Sequence, residues 1–342
     1  MCSQKSERPT FPKAYVLGLG AYLPERRLTN GDLEKIVDTS DEWIFSRTGM
    51  RERRIAGEEE FPSDMGAKAA SAALDQACVP ATDVQLIIAA SMSPDHISPS
   101  TAALIQAKIH LHQAAAFDVQ AACSGFLYAL GVAKAFVESG AYQTILVVAT
   151  EKMSAFMDYR DRSTCVLFGD GAAAAVVSSS PGLFRIDSVS LGADGSLASL
   201  IEIPAGGARF PASQETLDRG MHYFKMAGRE VYKHAIRRMR GAVEEALQKV
   251  GLSEKEIHWL IPHQANIRII EGLAKDFQLP LSQVYTVLDR YGNTSASGVG
   301  IALEELVRTT PLSFGEHLVL TAFGGGLTWG AVLLTVQGER QV

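Results

Sequence analysis

Residues 73–88 read ALDQACVPATDVQLII and residues 246–261 read ALQKVGLSEKEIHWLI, and this pair of stretches decides the fold. The two align without a gap at an offset of 173 residues, which places Ala73-Leu74 on Ala246-Leu247. Self-similarity at a fixed offset indicates a repeated structural unit. The chain is therefore predicted to contain two copies of one fold.

Further matches along the chain extend the repeat. They are Ser124-Gly125 with Ser297-Gly298, Ile145–Ala149 with Leu318–Ala322, and Phe168–Gly171 with Phe323–Gly326. The first two pairs keep the offset of 173, whereas the last pair has an offset of 155. This difference predicts an extra segment in the first copy, around residues 150 to 167.

Each copy alternates amphipathic helices with short apolar runs, a pattern typical of an α/β fold with a central sheet. Helices are predicted over about Asp64–Gln76 and Cys123–Glu138, and buried central strands over Leu86–Ala90 and Ile145–Ala149. Gly192–Gly220, which is rich in glycine and proline, is predicted to be the crossover loop between the copies.

Length and composition set the limits on organisation. At roughly 150 residues per domain, 342 residues predict two domains. We place a tail at residues 1–12, one half at 13–185 and the other at 186–342. The net charge of −6 argues against a nucleic-acid partner.

Cysteine usage and hydropathy predict the compartment. The four cysteines show no spacing typical of a disulfide framework or a zinc site, so we expect no metal. No signal peptide is visible, nor an apolar run of about 18 residues, so we expect no membrane segment. The cytoplasm is the predicted location.

Cys123 is a candidate nucleophile because it lies where an apolar run ends and a helix begins. There the positive end of the helix dipole is expected to lower the thiol pKa. The alternative is a small buried apolar side chain, which is the commoner role of a cysteine. The repeat favours the nucleophile, because its counterpart Ala296 follows a Gly-Asn-Thr-Ser loop at the matching junction. Two such junctions would converge.

His263 and Asn293 supply two further candidates at strand ends, where ligand sites of α/β proteins lie. Each has a structural alternative, a satisfied histidine and a Gly-Asn turn respectively. Together with Cys123 and the backbone amides of Gly324–Gly326 they provide a nucleophile, two hydrogen-bonding side chains and an oxyanion hole. That combination predicts thioester chemistry.

From about Ala14 to Val336 the chain resembles the β-ketoacyl-acyl-carrier-protein synthase III family of the thiolase superfamily. The motifs that carry the resemblance are Asp38–Ile44 with Arg47–Gly49, Ala121–Phe126, Phe168–Ala172, Pro262–Asn266, Gly292–Ala296 and Phe323–Gly330. The resemblance implies a five-layered αβαβα fold made of two pseudo-symmetric halves, and an acyltransferase that begins type II fatty-acid synthesis.

The resemblance also implies roles for these residues. Cys123 takes the acyl group of acetyl-CoA or a longer acyl-CoA, and the amides of Cys123 and Gly325 hold the oxyanion. His263 and Asn293 stabilise the enolate formed when malonyl-acyl carrier protein loses CO2, and Phe323 flanks the site. No cofactor is implied, because CoA is part of a substrate.

Binding residues follow from the same resemblance. Thr39, Trp43, Arg47 and Arg162 are assigned to CoA, with the indole and a guanidinium enclosing the adenine. Lys233, Arg268 and Lys275 are assigned to acidic carrier protein, although Asp276 stands where relatives often have a second lysine. Arg51, Arg53 and Arg54 are interpreted as a solvated face.

A homodimer is implied, with an interface around Ile97–Ile109. Ser98 aligns with a position that the partner subunit inserts into the acyl pocket and that is often Phe in short-chain enzymes. A pocket for primers longer than acetyl is therefore expected.

Two other functions stay open on the sequence alone. One is a thiolase-fold acyltransferase or condensing enzyme of secondary metabolism, against which the enolate-stabilising His263 and Asn293 argue. The other is a non-catalytic binding protein on this fold, which the complete set of catalytic residues makes hard to sustain.

Overall fold

The repeat predicted from the sequence is visible in the strand order of the computed structural model, which describes residues 12–338. The strands are β1 (Tyr15–Tyr22), β2 (Arg27–Thr29), β3 (Glu52–Arg54), β4 (Leu86–Ala90), β5 (Ala115–Val119), β6 (Thr144–Lys152), β7 (Asp170–Ser178), β8 (Phe184–Ala193), β9 (Ile201–Glu202), β10 (Lys225–Met226), β11 (Trp259–Pro262), β12 (His317–Gly324) and β13 (Thr328–Val336). The predicted tail lies outside the described residues apart from Pro12.

The helices are α1 (Asn30–Leu33), α2 (Asp41–Thr48), α3 (Pro62–Ala77), α4 (Thr101–Lys108), α5 (Gly125–Glu138), α6 (Gln214–Asp218), α7 (Gly228–Gln248), α8 (Ile267–Asp276), α9 (Leu288–Tyr291) and α10 (Gly298–Thr309). None of them, within the described residues, is both long and apolar enough to cross a membrane.

Nine strands form one sheet in the order β11-β12-β13-β8-β1-β7-β6-β4-β5. The first strands of the two copies, β1 and β8, pair antiparallel at its centre, with Tyr15 opposite Arg185. On either side the pairing repeats: β4 and β11 run parallel to β6 and β12, which in turn pair antiparallel with β7 and β13. Strand β8 begins beside the predicted boundary after residue 185, which stays a prediction.

The helices and the two halves of the sheet form five layers. Helices α5 and α10 pack between the halves, α3 and α4 cover the outer face of the first, and α7 and α8 cover the outer face of the second. The buried strand β4 shows the period-two pattern behind this: Leu86 and Ile88 contact the middle layer, and Ile87 contacts the outer one. The predicted five-layered α/β architecture is confirmed.

Two predicted segments differ in detail. The helix expected from Cys123 begins as a short 3₁₀ turn, Ala122–Ser124, and becomes α-helical only at Gly125. The expected crossover loop Gly192–Gly220 includes β9 and α6, because Ile201–Glu202 pairs with β10 and the Ser213 side chain caps the helix.

The interpretation of Arg53 as part of a solvated face is wrong. Its side chain is fully buried and donates to the Leu28 carbonyl (3.2 Å), Asn30 Oδ1 (2.8 Å) and the Val166 carbonyl (2.6 Å). Burial lowers its pKa to about 10, so the guanidinium stays charged at neutral pH. Arg53 therefore connects the antiparallel pair β2–β3 to the segment that precedes β7.

Close contact between β1 and α3 yields a prediction about stability. A Cβ atom at Gly20 would lie 2.2 Å from the Ala69 carbonyl oxygen and 2.5 Å from the Ala73 nitrogen. We expect Gly20→Ala to lower the free energy of unfolding by about 1–3 kcal/mol, the usual effect of overpacking. The measurement is equilibrium unfolding in guanidinium chloride. Gly195→Ala, at an exposed position with open space around it, is the control; equal stability of the two variants would contradict the prediction.

Candidate active site

Cys123 lies in the 3₁₀ turn before α5, and its side chain is buried. The residue before it, Ala122, has a φ of +44°, a left-handed conformation that is unfavourable for a residue with a side chain. The turn is held because the Ala122 amide donates a hydrogen bond to Gln120 Oε1 (2.9 Å). Such backbone strain is concentrated at functional sites.

The second half of the chain contains the same turn before α10. There Ser295 has a φ of +51°, and its amide donates to Asn293 Oδ1 (2.9 Å). Both residues stand 173 positions after their counterparts. The two turns meet, since Ser295 Oγ lies 3.5 Å from Cys123 Sγ. The expected convergence of the two junctions is confirmed.

His263 follows β11, and its amide donates to the Thr321 carbonyl on the parallel neighbour β12 (2.7 Å). This bond fixes the point at which the chain leaves the sheet. The imidazole is buried, and its Nδ1 has no hydrogen-bond partner among the described residues. A buried polar atom without a partner is unusual in a structural role and is available to a ligand.

One pocket is lined by Cys123, His263, Asn293 and Phe323. Most of its other walls are apolar and include Phe168, Ile201, Phe224, Met226 and Met239. The structure thus brings the predicted nucleophile, both hydrogen-bonding side chains and the flanking aromatic ring to one place. Within residues 12–338, no cluster of three His, Cys, Asp or Glu side chains could hold a metal.

The glycine loop after β12 passes directly beside the nucleophile. A Cβ atom at Gly324 would lie 2.6 Å from the Cys123 nitrogen, so this position requires glycine. The predicted oxyanion residue Gly325 lines an adjoining cavity of about 800 Å³ together with Ala121 and Ala122. The loop and the Cys123 turn therefore form a shared wall between the two cavities.

The expectation that the helix start lowers the pKa of Cys123 is wrong for this structure. The pKa of the thiol is raised to about 12, mainly by burial and in addition by the negative charge of Glu151, while the hydrogen bond of the Ser295 hydroxyl offsets part of the rise. The helix dipole acts within its first turn but does not outweigh the loss of water around a buried thiolate. The thiol is therefore protonated at neutral pH.

Burial has the opposite effect on the imidazole. It lowers the pKa of His263 to about 4, because the charged form is the one that loses hydration. His263 is therefore neutral at neutral pH, which leaves one ring N–H to donate and one nitrogen to accept a hydrogen bond.

One titratable residue beside the pocket was not predicted from the sequence: Glu151, near the end of β6, is completely buried. Burial raises its pKa to about 7, while hydrogen bonds from Ser93 and Met92 oppose the rise. A signal was present: Glu151 is a charged residue only two positions after the apolar run Ile145–Ala149.

The proposed CoA residues fall into two groups. Arg162 lies over the Trp43 ring, 5.2 Å from its centroid, and its guanidinium donates to the Asp38 carbonyl (2.9 Å). Arg47 is exposed on the same helix, α2, as Trp43. Thr39 Oγ1 is buried without a hydrogen-bond partner among the described residues. The indole and the guanidinium that are predicted to enclose the adenine therefore lie close to each other in the structure.

The predicted basic residues lie on two packed helices. Lys233 is exposed on α7 and forms an ion pair with Glu230 (2.8 Å). Arg268 and Lys275 are exposed on α8, seven positions apart and so on one face. Asp276 adjoins Lys275 and weakens the positive charge of this face. Ser98 is also exposed, next to Ile97, whose side chain is 88% exposed.

Comparison with known proteins places these residues in a family context. Models of 3-oxoacyl-(acyl-carrier-protein) synthase III and of its C-terminal part match residues 117–195 and 247–336. The beta-ketoacyl-(acyl-carrier-protein) synthase III of Chlamydia trachomatis is 54% identical over 323 residues, which cover 94% of this chain and 99% of the relative. That of Caldanaerobacter subterraneus is 47% identical over 94% of this chain and 97% of the relative.

The chain is also similar in structure to solved condensing enzymes. The synthase III of Aquifex aeolicus has a TM-score of 0.86 at 45% identity, covering 94% of this chain and 99% of its own. The priming beta-ketosynthase of the R1128 polyketide pathway has a TM-score of 0.88 at 32% identity, covering 98% of this chain and 100% of its own.

The state of His263 can be tested directly. Because burial lowers its pKa to about 4, we expect its ring resonances to stay unchanged between pH 8 and pH 5.5. In the urea-unfolded chain the same ring should titrate near 6.5. The measurement is NMR of histidine-labelled protein, with His263→Gln to assign the signal. Titration of the folded signal near pH 6.5 would contradict the prediction.

Proposed function

The chain belongs to the 3-oxoacyl-(acyl-carrier-protein) synthase III family, and from that membership we propose that it condenses acyl-CoA with malonyl-acyl carrier protein to begin fatty-acid synthesis. The observation that carries the proposal is the meeting of Cys123, His263 and Asn293 in one apolar pocket. The activity is that of an acyltransferase. Its steps follow from what each of these groups can do.

The first proposed step is acylation of Cys123. The sulfur attacks the thioester carbonyl of acyl-CoA, and CoA leaves as the thiol. The oxygen of the tetrahedral intermediate is stabilised by the amides of Cys123 and Gly325, in the proposed oxyanion hole. Support for this arrangement is the close approach of the adjacent Gly324 backbone to the Cys123 nitrogen.

The second proposed step is decarboxylation of the malonyl group. Asn293 Oδ1 already accepts the Ser295 amide, so its NH2 group is the part left to donate. His263 is neutral and donates a ring N–H. Both donors bind the malonyl thioester carbonyl and stabilise the enolate that forms as CO2 leaves. The carbanion then attacks the acyl group on Cys123 and releases the thiolate.

These steps use a thiol, an imidazole, an amide and backbone N–H groups. The reaction as proposed therefore requires no metal or cofactor, and CoA enters as part of a substrate. A nucleophilic thiol must also stay reduced, and Cys78, Cys123 and Cys165 are free within the described residues. A cytoplasmic location is proposed on this ground.

The CoA adenine is proposed to enter between Trp43 and Arg162, whose guanidinium carbon lies 5.2 Å from the centroid of the indole. Arg47 on the same helix would meet the phosphates, and Thr39 has a free buried hydroxyl nearby. The acidic carrier protein would bind Lys233, Arg268 and Lys275 through complementary charge.

A homodimer is proposed because β5 forms an open edge of the sheet. An unpaired edge strand readily pairs with another chain. The strongly exposed Ile97 and the neighbouring Ser98 lie at the start of the segment that the resemblance assigns to the interface. Ser98 of one subunit would then enter the acyl pocket of the other.

A condensing enzyme of secondary metabolism is the weaker alternative. The chain is 32% identical to the priming ketosynthase of a polyketide pathway, against 45–54% for the synthase III relatives above. A purely binding function leaves unexplained why the buried thiol of Cys123 lies in the same pocket as His263 and Asn293.

The proposed roles predict different defects in different variants. Cys123→Ala should abolish the acyl-enzyme, because no sulfur remains to carry the acyl group. His263→Ala and Asn293→Ala should still be acylated by acyl-CoA but lose malonyl decarboxylation by about 10²–10³-fold, the usual effect of removing a donor to a developing charge. Protein mass spectrometry measures the adduct, and release of labelled CO2 measures decarboxylation.

Phe314→Leu, at a side chain that is 68% exposed and does not line the pocket, is the control and should retain both half-reactions. An acyl adduct on Cys123→Ala would overturn the nucleophile. Decarboxylation at the wild-type rate by both other variants would overturn the enolate role.

Ser98 gives a prediction about chain length. Phe is larger than Ser by on the order of four to five methylenes, each worth roughly 0.8 kcal/mol when an acyl chain fills the space. We expect the wild type to accept primers longer than acetyl-CoA and Ser98→Phe to shift preference towards acetyl-CoA. The measurement is kcat/KM across acyl-CoAs of increasing length.

Sedimentation at micromolar concentration must accompany that comparison, because Ser98 acts across the dimer interface. An unchanged chain-length profile in a dimeric Ser98→Phe, or a wild type restricted to acetyl-CoA, would overturn the pocket assignment. A monomeric wild type would overturn the dimer.

A further inference from the structure

Glu151 is a buried carboxyl group that the proposed steps do not use. Its oxygens accept hydrogen bonds from the Ser93 hydroxyl, from the Met92 and Ser93 amides (3.1 Å each), from Ser91 Oγ (3.3 Å) and from the Ala296 amide (3.4 Å). In the described part of the chain no Lys, Arg or His forms an ion pair with it. A buried carboxyl surrounded by donors but without a cation is costly to keep, which points to a use.

Ser295 stands between this carboxyl and the nucleophile. Its hydroxyl oxygen lies 3.5 Å from Cys123 Sγ, and the same side chain lowers the pKa of Glu151 against the effect of burial. The next amide along the chain, that of Ala296, reaches Glu151 Oε1. The Ser295 hydroxyl is therefore placed to accept the proton of the thiol and to pass its own proton to the carboxylate.

We propose that Glu151 accepts the proton of the Cys123 thiol through the Ser295 hydroxyl when acyl-CoA is attacked. The S–H bond breaks, Ser295 takes that proton on its oxygen and passes its own to Glu151, and the sulfur forms the bond to the acyl carbon. As the tetrahedral intermediate collapses, the proton returns along the same path to the departing CoA sulfur. Glu151 is a carboxylate again, and no other reactant is needed. The inference rests on the proposed function.

The proton affinities of the neighbouring groups support this assignment. Glu151 has a pKa of about 7, which suits a proton acceptor at neutral pH, whereas His263 at about 4 is a weak one. The nearest charged groups on the paired strands are engaged elsewhere: Lys152 Nζ donates to the Gly57 carbonyl, and Asp170 accepts from Ser154 and the Ala56 amide. The titratable group that faces Glu151 is Cys123 itself.

The direction in which Glu151→Gln changes the reaction rate of Cys123 distinguishes this role from a purely electrostatic one. The charge on Glu151 raises the pKa of Cys123, so a carboxylate that acted by charge alone would slow the thiol, and Glu151→Gln would speed its reaction. A proton acceptor predicts the reverse. Glu151→Gln should alkylate about 10²-fold more slowly at pH 7, within the range usual for general-base catalysis.

The experiment follows iodoacetamide alkylation of the Cys123 peptide by mass spectrometry from pH 5 to pH 9. Wild type should show a rise centred near pH 7 that Glu151→Gln lacks. An equal or faster rate in Glu151→Gln, or a wild-type profile without an inflection near pH 7, would overturn the proposal.

Ser295→Ala tests the path and serves if Glu151→Gln does not fold. It should lose as much rate as Glu151→Gln, because it breaks the connection and leaves the carboxylate in place. Ser297→Ala is the matched control, since Ser297 is equally buried in the same turn but donates to the Thr294 carbonyl (2.9 Å). It should stay within twofold of wild type. Wild-type alkylation by Ser295→Ala would overturn the relay.

Acylation of the same proteins by acyl-CoA separates the two proposals. Alkylation of Cys123 needs no acyl-CoA, so a wild type that alkylates with the expected profile but forms no acyl-enzyme would overturn the proposed function alone. Slow alkylation with undiminished acylation in Glu151→Gln would overturn the part of the relay that we assign to catalysis.

Discussion

The constraint on which this structure depends is that α5 and α10 must both be buried between the two halves of the sheet. Their N-termini approach so closely that a Cβ atom at Gly125 would lie 2.9 Å from the Ala90 Cβ and 3.4 Å from the Ala296 Cβ. Because each helix is preceded by the same strained turn, burying the helices brings both turns together. The site forms where the two equivalent turns meet, so that each half contributes only part of it.

Equivalent backbone positions in the two halves carry different side chains. Glu151 and Gly324 occupy equivalent positions, 173 residues apart, at the ends of β6 and β12. In the first half a carboxyl group fits there and reaches the Ala296 amide; in the second half the place of a Cβ atom is taken by the Cys123 backbone. The backbone of the nucleophile therefore excludes a second carboxyl group at position 324, and the duplicated fold holds one such glutamate rather than two.

Exclusion of water determines the charge state of the side chains in the pocket. The thiol and the imidazole are both held neutral by loss of water, one through a raised pKa and the other through a lowered pKa. Neutral donors suit an enolate, because they bind it more strongly than the neutral carbonyl from which it forms. The same exclusion of water disfavours the Cys123 thiolate, and the proposed attack on acyl-CoA therefore needs a nearby proton acceptor.

Much of this was readable in the sequence, since the offset that aligns β4 with β11 also aligns Ala122 with Ser295 and so predicts two matching turns. Cys123, His263 and Asn293 could be found because they stand at element boundaries. The protonation of Cys123 and the burial of Arg53 could not, because both depend on segments distant in sequence that close over the side chain. The sequence also did not predict that the second half lacks a counterpart of β5. The residues that match β5 form helix α9 instead, and Val284 supplies a single bridge to β11. Among the described strands the sheet thus ends in the unpaired strand β5 at one edge and in β11, which already carries the bridge to Val284, at the other. Pairing of two copies through β5 would leave no equivalent free edge for a third copy, so the asymmetry of the repeat favours a closed pair over an open fibre.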